Sequence, residues 1–200
     1  PFLTNTIDAT DCKGLGERYQ GKVRDVYTSE DQVVLISTDR QSAFDYQWCT
    51  IPLKGQALNQ MSAWWFDQVK DVMPTHVIAV PDPNVTVARK LNMLKIEVVV
   101  RAYLTGSTST SAWVNYENGV RNFCGNQLPD GMVKNQPFAS AQGDNGIIFT
   151  PSTKPETGHD ESMSPEELVA LGVISEKEIK EVEELAFALF RRGQEVALSR

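Results

Sequence analysis

The densest chemistry in the chain lies at residues 101–111, RAYLTGSTSTS, directly after the apolar run Val98-Val99-Val100. A buried strand there delivers Arg101 at its carboxyl end. A turn through Gly106 follows, and the hydroxyls from Ser107 onward open a helix. A guanidinium supplies a planar fork of donors, glycine lets the backbone come close, and free N–H groups at a helix start attract negative charge. That combination would hold an anion. The plainer reading is a strand–turn–helix junction in which Ser107 or Thr108 caps the helix.

Three further stretches concentrate reactive side chains. Residues 21–24, GKVR, place Lys22 and Arg24 two apart, on one face of a strand, beside Gly21. Such a pair suits the phosphates of a nucleotide, or else forms a solvated strand face. The G-x-x-x-x-G-K-[ST] phosphate loop is absent. Residues 37–45, STDRQSAFD, put Asp39, Asp45, Ser42 and Arg40 just past a buried strand, where sheets commonly carry ligand groups. The alternative there is a turn in which Asp39 caps the backbone and pairs with Arg40. Residues 149–163, FTPSTKPETGHDESM, gather Lys154, His159, Asp160 and Glu161 in a segment too rich in Pro, Gly and Thr for a helix.

The elements that must position these groups follow from periodicity. Residues 21–27 and 32–38 read as a β-hairpin across a Thr-Ser-Glu-Asp turn. Residues 54–70 carry Leu58, Met61, Trp65 and Val69 near helical spacing, which makes them an amphipathic helix with Trp64-Trp65 in the core. His76 sits in a short apolar run and reads as structural. Residues 96–103 form the longest β-like run, and a helix over 109–118 stops at Gly119. Residues 119–146, rich in Gly, Asn, Gln and Pro, read as a long surface excursion with room for a hairpin, and 146–150 as another short strand. Ser164-Pro165-Glu166-Glu167 and Ser175-Glu176-Lys177-Glu178 are capping-box starts of two helices, the first ended by Gly172. Strands first and helices last predict an α+β fold with a strand-rich N-terminal lobe. A boundary near residues 81–95 divides a lobe at 1–94 from one at 95–200.

Composition sets the outer limits. The 200 residues are 41% hydrophobic, enough for a substantial core, and no eighteen-residue apolar run exists. Residues 156–184 hold ten acids against two lysines and account for the whole formal charge of −7, so the remainder is close to neutral. Such a balance excludes a nucleic-acid binder and leaves room for small anions. Cys12, Cys49 and Cys124 lie far apart and read as free thiols of a reducing compartment. The first residues show no secretory signal. Two histidines make a His-rich zinc site untenable.

Taken together, GKVRDVY, STDRQSAFD, EVVVRAYLTGS and FTPSTKPETGHDE resemble the SAICAR synthetase family in order and spacing, across nearly all of residues 14–200. The resemblance implies a two-lobed fold akin to protein-kinase and ATP-grasp lobes. It implies an ATP- and Mg²⁺-dependent cytoplasmic ligase of purine biosynthesis. That enzyme joins L-aspartate to the carboxylate of carboxyaminoimidazole ribonucleotide through an acyl phosphate. It places Gly21, Lys22, Arg24 and Glu97 at ATP, and Ser42, Asp45, Arg101, Gly106 and Ser107 at the ribonucleotide. Lys154, His159 and Asp160 fall at the reaction centre, with Asp160 or His159 as acceptor of the amine proton. The family's D-x-K-x-E-F-G strand, with its metal ligands, is expected beyond Arg200, which would make these residues a fragment. The alternatives are a non-catalytic nucleotide-binding domain and a small-molecule kinase; the H-R-D-x-x-x-x-N and D-F-G of the latter are missing.

Overall fold

The computed structural model describes residues 5–43, 46–140, 142–154 and 160–200. The chain forms two compact units, one up to Asn92 and the other from Met93.

In chain order, the first unit contains β1 (Glu17–Gln20), β2 (Arg24–Thr28), β3 (Gln32–Ser37), β4 (Arg40–Ala43), β5 (Tyr46–Thr50), α1 (Lys54–Gln68), β6 (Val77–Asp82) and β7 (Val85–Arg89). Five strands make an antiparallel sheet in the order β1-β2-β3-β7-β6, and β4 pairs with β5. The expected hairpin is present as β2–β3, in register Arg24↔Ser37 to Thr28↔Val33. Its inner face carries Asp25 and Tyr27, both fully buried.

Asp25 is neutralised by Arg40, whose Nη2 lies 2.8 Å from Asp25 Oδ1, with both side chains withdrawn from water. The second carboxylate oxygen accepts from Thr10 N at 2.7 Å, Thr10 Oγ1 at 2.9 Å and Arg18 at 3.2 Å. Burial pushes the Asp25 carboxyl up, but these donors, Arg40 foremost, outweigh it and hold the group below its ordinary value. Asp39 does not pair with Arg40 as the turn reading had it. Its two oxygens accept from Ile7 N and Gly55 N, each at 2.9 Å, so it caps α1 from a distance.

Helix α1 begins where expected, but its buried face differs from the apolar stripe. Gly55 and Asn59 are buried, whereas Leu58 and Met61 are about half exposed. A Cβ on Gly55 would stand 2.3 Å from Ser37 O, so the glycine lets the helix press onto the end of β3. Asn59 then accepts from Thr86 Oγ1 at 2.8 Å and donates to Pro83 O at 3.0 Å. Backbone proximity and polar pairing therefore set the helix's rotation, rather than hydrophobicity. Trp64 and Trp65 are half-buried and meet edge to face.

The second unit contains β8 (Ile96–Glu97), β9 (Val100–Arg101), α2 (Ala112–Glu117), β10 (Asn122–Phe123), β11 (Asn126–Gln127), β12 (Ile148–Phe149), β13 (Ser152–Thr153), α3 (Pro165–Ala170) and α4 (Glu176–Leu198). The long run at 96–103 resolves into β8, paired with β13, and β9, paired with β12. Two apolar clusters flank β12. Ile148 joins Leu104, Tyr116, Phe123 and Phe138, while Phe149 joins Ile96, Leu168, Ile174 and Ile179. Successive side chains of a strand point to opposite faces, so two residues serve two cores. Both capping boxes form: Ser164 with Glu167, and Ser175 with Glu178. Ser111, rather than Ser107 or Thr108, caps α2.

Removing one partner of a buried ion pair leaves the other uncompensated, at a cost of about 3–5 kcal/mol. Arg40→Met should lower stability in urea unfolding by that amount, and an unchanged midpoint would overturn this account. The Asp25 contribution is complete above its ordinary pKa of 3.8 and is lost as pH falls through the lower folded value. The variant should therefore lack the acid-sensitive component that the parent shows in that range.

Candidate functional site

Within the first unit, residues 21–24 form the turn joining β1 to β2, so Lys22 precedes the strand instead of lying on it. Every carbonyl of this turn is claimed by the protein. Arg40 donates to Gly21 O at 2.9 Å and Lys22 O at 3.3 Å. Thr38 gives its N–H and its hydroxyl to Val23 O at 3.0 and 2.9 Å, and Gly21 N donates to Arg24 O at 2.8 Å. Arg40 also reaches Asp8 O. With its carbonyls satisfied inward, the turn presents two exposed cationic side chains, Lys22 and Arg24. Arg24 borders a cavity of about 240 Å³ between the sheet and α1, walled by Leu35, Ser37, Thr38, Asn59 and Thr86 among others. Ser42 is half-buried on β4, at the irregularity in the β4–β5 pairing. Asp45 lies outside the described residues.

Within the second unit, the segments 96–101 and 148–153 run antiparallel and bring the remaining groups together. At one end, Lys154 Nζ meets Asp160 Oδ2 at 2.8 Å and Glu97 Oε1 at 3.7 Å. The Asp160 hydrogen bond, more than the nearby Glu97, raises the Lys154 ammonium above its ordinary value, so it stays charged. His159 lies outside the described residues. Four positions along from Glu97, roughly 13 Å at the rise of an extended strand, stands Arg101. Its Nε donates to Thr150 Oγ1 at 2.9 Å, and its guanidinium lies 5.9 Å from the Phe123 ring centroid. Among the described residues its two terminal nitrogens have no hydrogen-bond partner. Gly106 adopts φ 116°, and a Cβ there would strike Ser111 Cβ at 2.2 Å. Only glycine fits, and Ser107 follows it exposed.

Sequence reasoning missed Thr38, Arg40 and Thr150 as the groups that hold these cations in place. The legible signals were an arginine directly after a buried strand and a threonine at the end of the short strand 146–150. No group of three or more His, Cys, Asp and Glu side chains converges among the described residues. Among the same residues, no helix is long and apolar enough to cross a membrane.

An α+β chain of this architecture matches solved SAICAR synthases. The yeast enzyme, from Saccharomyces cerevisiae and described as complexed with SAICAR, superposes with a TM-score of 0.77 at 28% identity, over 93% of this chain and 64% of that one. The SAICAR synthetase family model matches residues 17–200, and the chain belongs to that family. A phosphoribosylaminoimidazole-succinocarboxamide synthase of Legionella pneumophila (strain Paris) is 49% identical over 182 residues, 91% of this chain and 56% of the relative. A chloroplastic one from Vigna aconitifolia is 47% identical over 195 residues, 98% and 54% respectively. The chain thus spans about half the length of these curated relatives.

Cys124 lies beside Arg101, and burial pushes its thiol up to about 11 despite that neighbouring charge. Only the thiolate is nucleophilic, so roughly a thousandth of Cys124 is reactive at pH 8. Iodoacetamide should label exposed Cys49 well before Cys124, whose rate should climb only towards pH 11. Equal labelling of the two at pH 8, read by peptide mass, would contradict this.

Proposed function

We propose that this chain forms the ATP- and ribonucleotide-binding body of an ATP-dependent carboxylate–amine ligase of purine biosynthesis. The reaction joins L-aspartate to the carboxylate of 5-amino-1-(5-phosphoribosyl)imidazole-4-carboxylate, giving SAICAR, ADP and phosphate. The observation that carries this reading is the antiparallel run of 96–101 with 148–153. It offers a guanidinium anchored at Nε, its terminal donors unclaimed among the described residues, at one end and the Glu97–Lys154–Asp160 charges at the other. A substrate with a phosphate at one extremity and a reacting carboxylate at the other suits such a run. Family membership and the yeast relative described with SAICAR support the same reading.

In this scheme the ATP residues are Gly21, Lys22 and Arg24, at the phosphates, and Glu97. For the ribonucleotide the scheme assigns Arg101, Gly106 and Ser107 to its phosphate, together with Ser42 and Asp45. A carboxylate is a poor electrophile. Its oxygen attacks the γ-phosphorus, ADP departs, and the acyl phosphate so formed has a leaving group. Lys154 offsets the charge that gathers on the phosphoryl oxygens. The aspartate amine must attack unprotonated, and Asp160 or His159 accepts its proton before phosphate leaves. Mg²⁺ belongs to the same scheme as a charge neutraliser of ATP. Three cysteines free of disulfides suit a reducing compartment, which we take to be the cytoplasm; the Vigna relative is named chloroplastic.

The full-length protein, given ribonucleotide with oxygen-18 in its carboxylate, should transfer one label to released phosphate. A kinase would release no inorganic phosphate, and a phosphate free of label would exclude the acyl phosphate. Lys22→Met should weaken ATP binding about tenfold, the scale of one charge-assisted contact. Unaltered affinity by calorimetry would return Lys22 to a solvated turn.

A further inference from the structure

Arg101 reaches its position on β9 by backbone pairing, but a strand fixes only where the side chain starts. Four side-chain dihedrals still decide where the guanidinium points. Thr150 removes that freedom. It is 2% exposed, and its N–H donates to Val99 O at 2.9 Å, which locks it across from the residue two before Arg101. Its hydroxyl hydrogen turns to the same carbonyl, 3.4 Å away, so the oxygen faces Arg101 as an acceptor and takes Nε–H at 2.9 Å. The Phe123 ring, 4% exposed, backs the guanidinium. A guanidinium can meet an anion side-on, through Nε and one terminal nitrogen, or end-on, through both terminal nitrogens. With Nε engaged by Thr150, only the end-on fork remains.

We infer that Thr150 is a positioning residue that commits Arg101 to an end-on, two-nitrogen grip on the substrate phosphate. The inference rests on the assignment of Arg101 to that phosphate under the proposed function. Thr150 touches no reacting atom, so its effect should appear in ribonucleotide binding and not in the chemical step. Valine matches threonine in shape and lacks the hydroxyl oxygen, with its bond from Arg101 and its own bond to Val99 O. Serine restores that oxygen.

The test is steady-state kinetics on the full-length protein, comparing the parent with Thr150→Val, Thr150→Ser, Arg101→Ala and the Thr150→Val/Arg101→Ala double variant. Thr150→Val should raise the KM for the ribonucleotide about tenfold, with kcat and the KM for aspartate within twofold of the parent. Thr150→Ser should restore most of the loss. In the Arg101→Ala background, Thr150→Val should add nothing, because the group it positions is gone. If Arg101→Ala raises the ribonucleotide KM but Thr150→Val does not, or if its effect persists without Arg101, the positioning role is overturned while the assignment of Arg101 stands. If Arg101→Ala leaves that KM unchanged, the assignment itself falls and the inference with it. Should Thr150→Val fail to fold, the parent answers through the Arg101 Nε–H resonance. Slow exchange with solvent supports the bond to Thr150, and free exchange overturns it.

Discussion

A guanidinium removed from water is tolerated only where its charge is neutralised and its donors are met. Arg40 satisfies both conditions at once, and the first unit is arranged around that fact. Asp25 of β2 supplies the charge, and carbonyls of the N-terminal stretch and of the β1–β2 turn take the remaining donors. Its neighbour Asp39 ties the start of α1 to the same point, and Lys54 of that helix returns a bond to Arg40 O. Four separate segments therefore share one node. A lysine there would keep the charge and lose the planar fork that reaches several acceptors together. The cost of burying this cation yields a turn whose carbonyls all face inward, which leaves Lys22 and Arg24 as the groups the turn shows to solvent.

The second unit handles its cation in a different way. Arg101 is half-buried, and burial lowers its pKa from the ordinary value, with no carboxylate paired to it among the described residues. The protein holds it through a neutral hydroxyl and an aromatic face, which orient the guanidinium without satisfying it. Arg40 is a cation with every nitrogen bonded and its charge neutralised, and its work is internal. Arg101 is held but incomplete, which is the condition expected of a group that meets an external anion.

What the sequence made legible was what is local in the chain. The two capping boxes formed as written, because Ser164 with Glu167 and Ser175 with Glu178 need only one helical turn to meet. The β2–β3 hairpin and the extent of α1 were readable for the same reason. What escaped was set by residues distant in sequence. Arg40 found Asp25 rather than its neighbour Asp39, and Arg101 found Thr150, 49 positions away. Ser111 displaced the nearer hydroxyls as the cap of α2 because Gly106 allows the chain to double back against it. The rotation of α1 was set by the contact of Gly55 with β3, which no hydrophobic pattern records. The candidate site was legible as a set of residue types, but not as the supports that aim them.

Residues 102–147 leave the site at Arg101 and return to it at Ile148, its partner across the ladder. Between those points Leu104, Ala112, Tyr116, Phe123, Leu128 and Phe138 build a core that closes on Ile148. Lengthening a loop costs little once its ends are joined, about 0.6 kcal/mol for each doubling. Exposed turns of this insert, such as that around Gly131, where an added Cβ would meet nothing within 4 Å, are therefore free to gain or lose residues over evolutionary time. The strand register that faces Arg101 with Ile148 would pass through such changes intact. Length variation among homologues should thus gather inside the insert, and the two segments that close it should keep constant length.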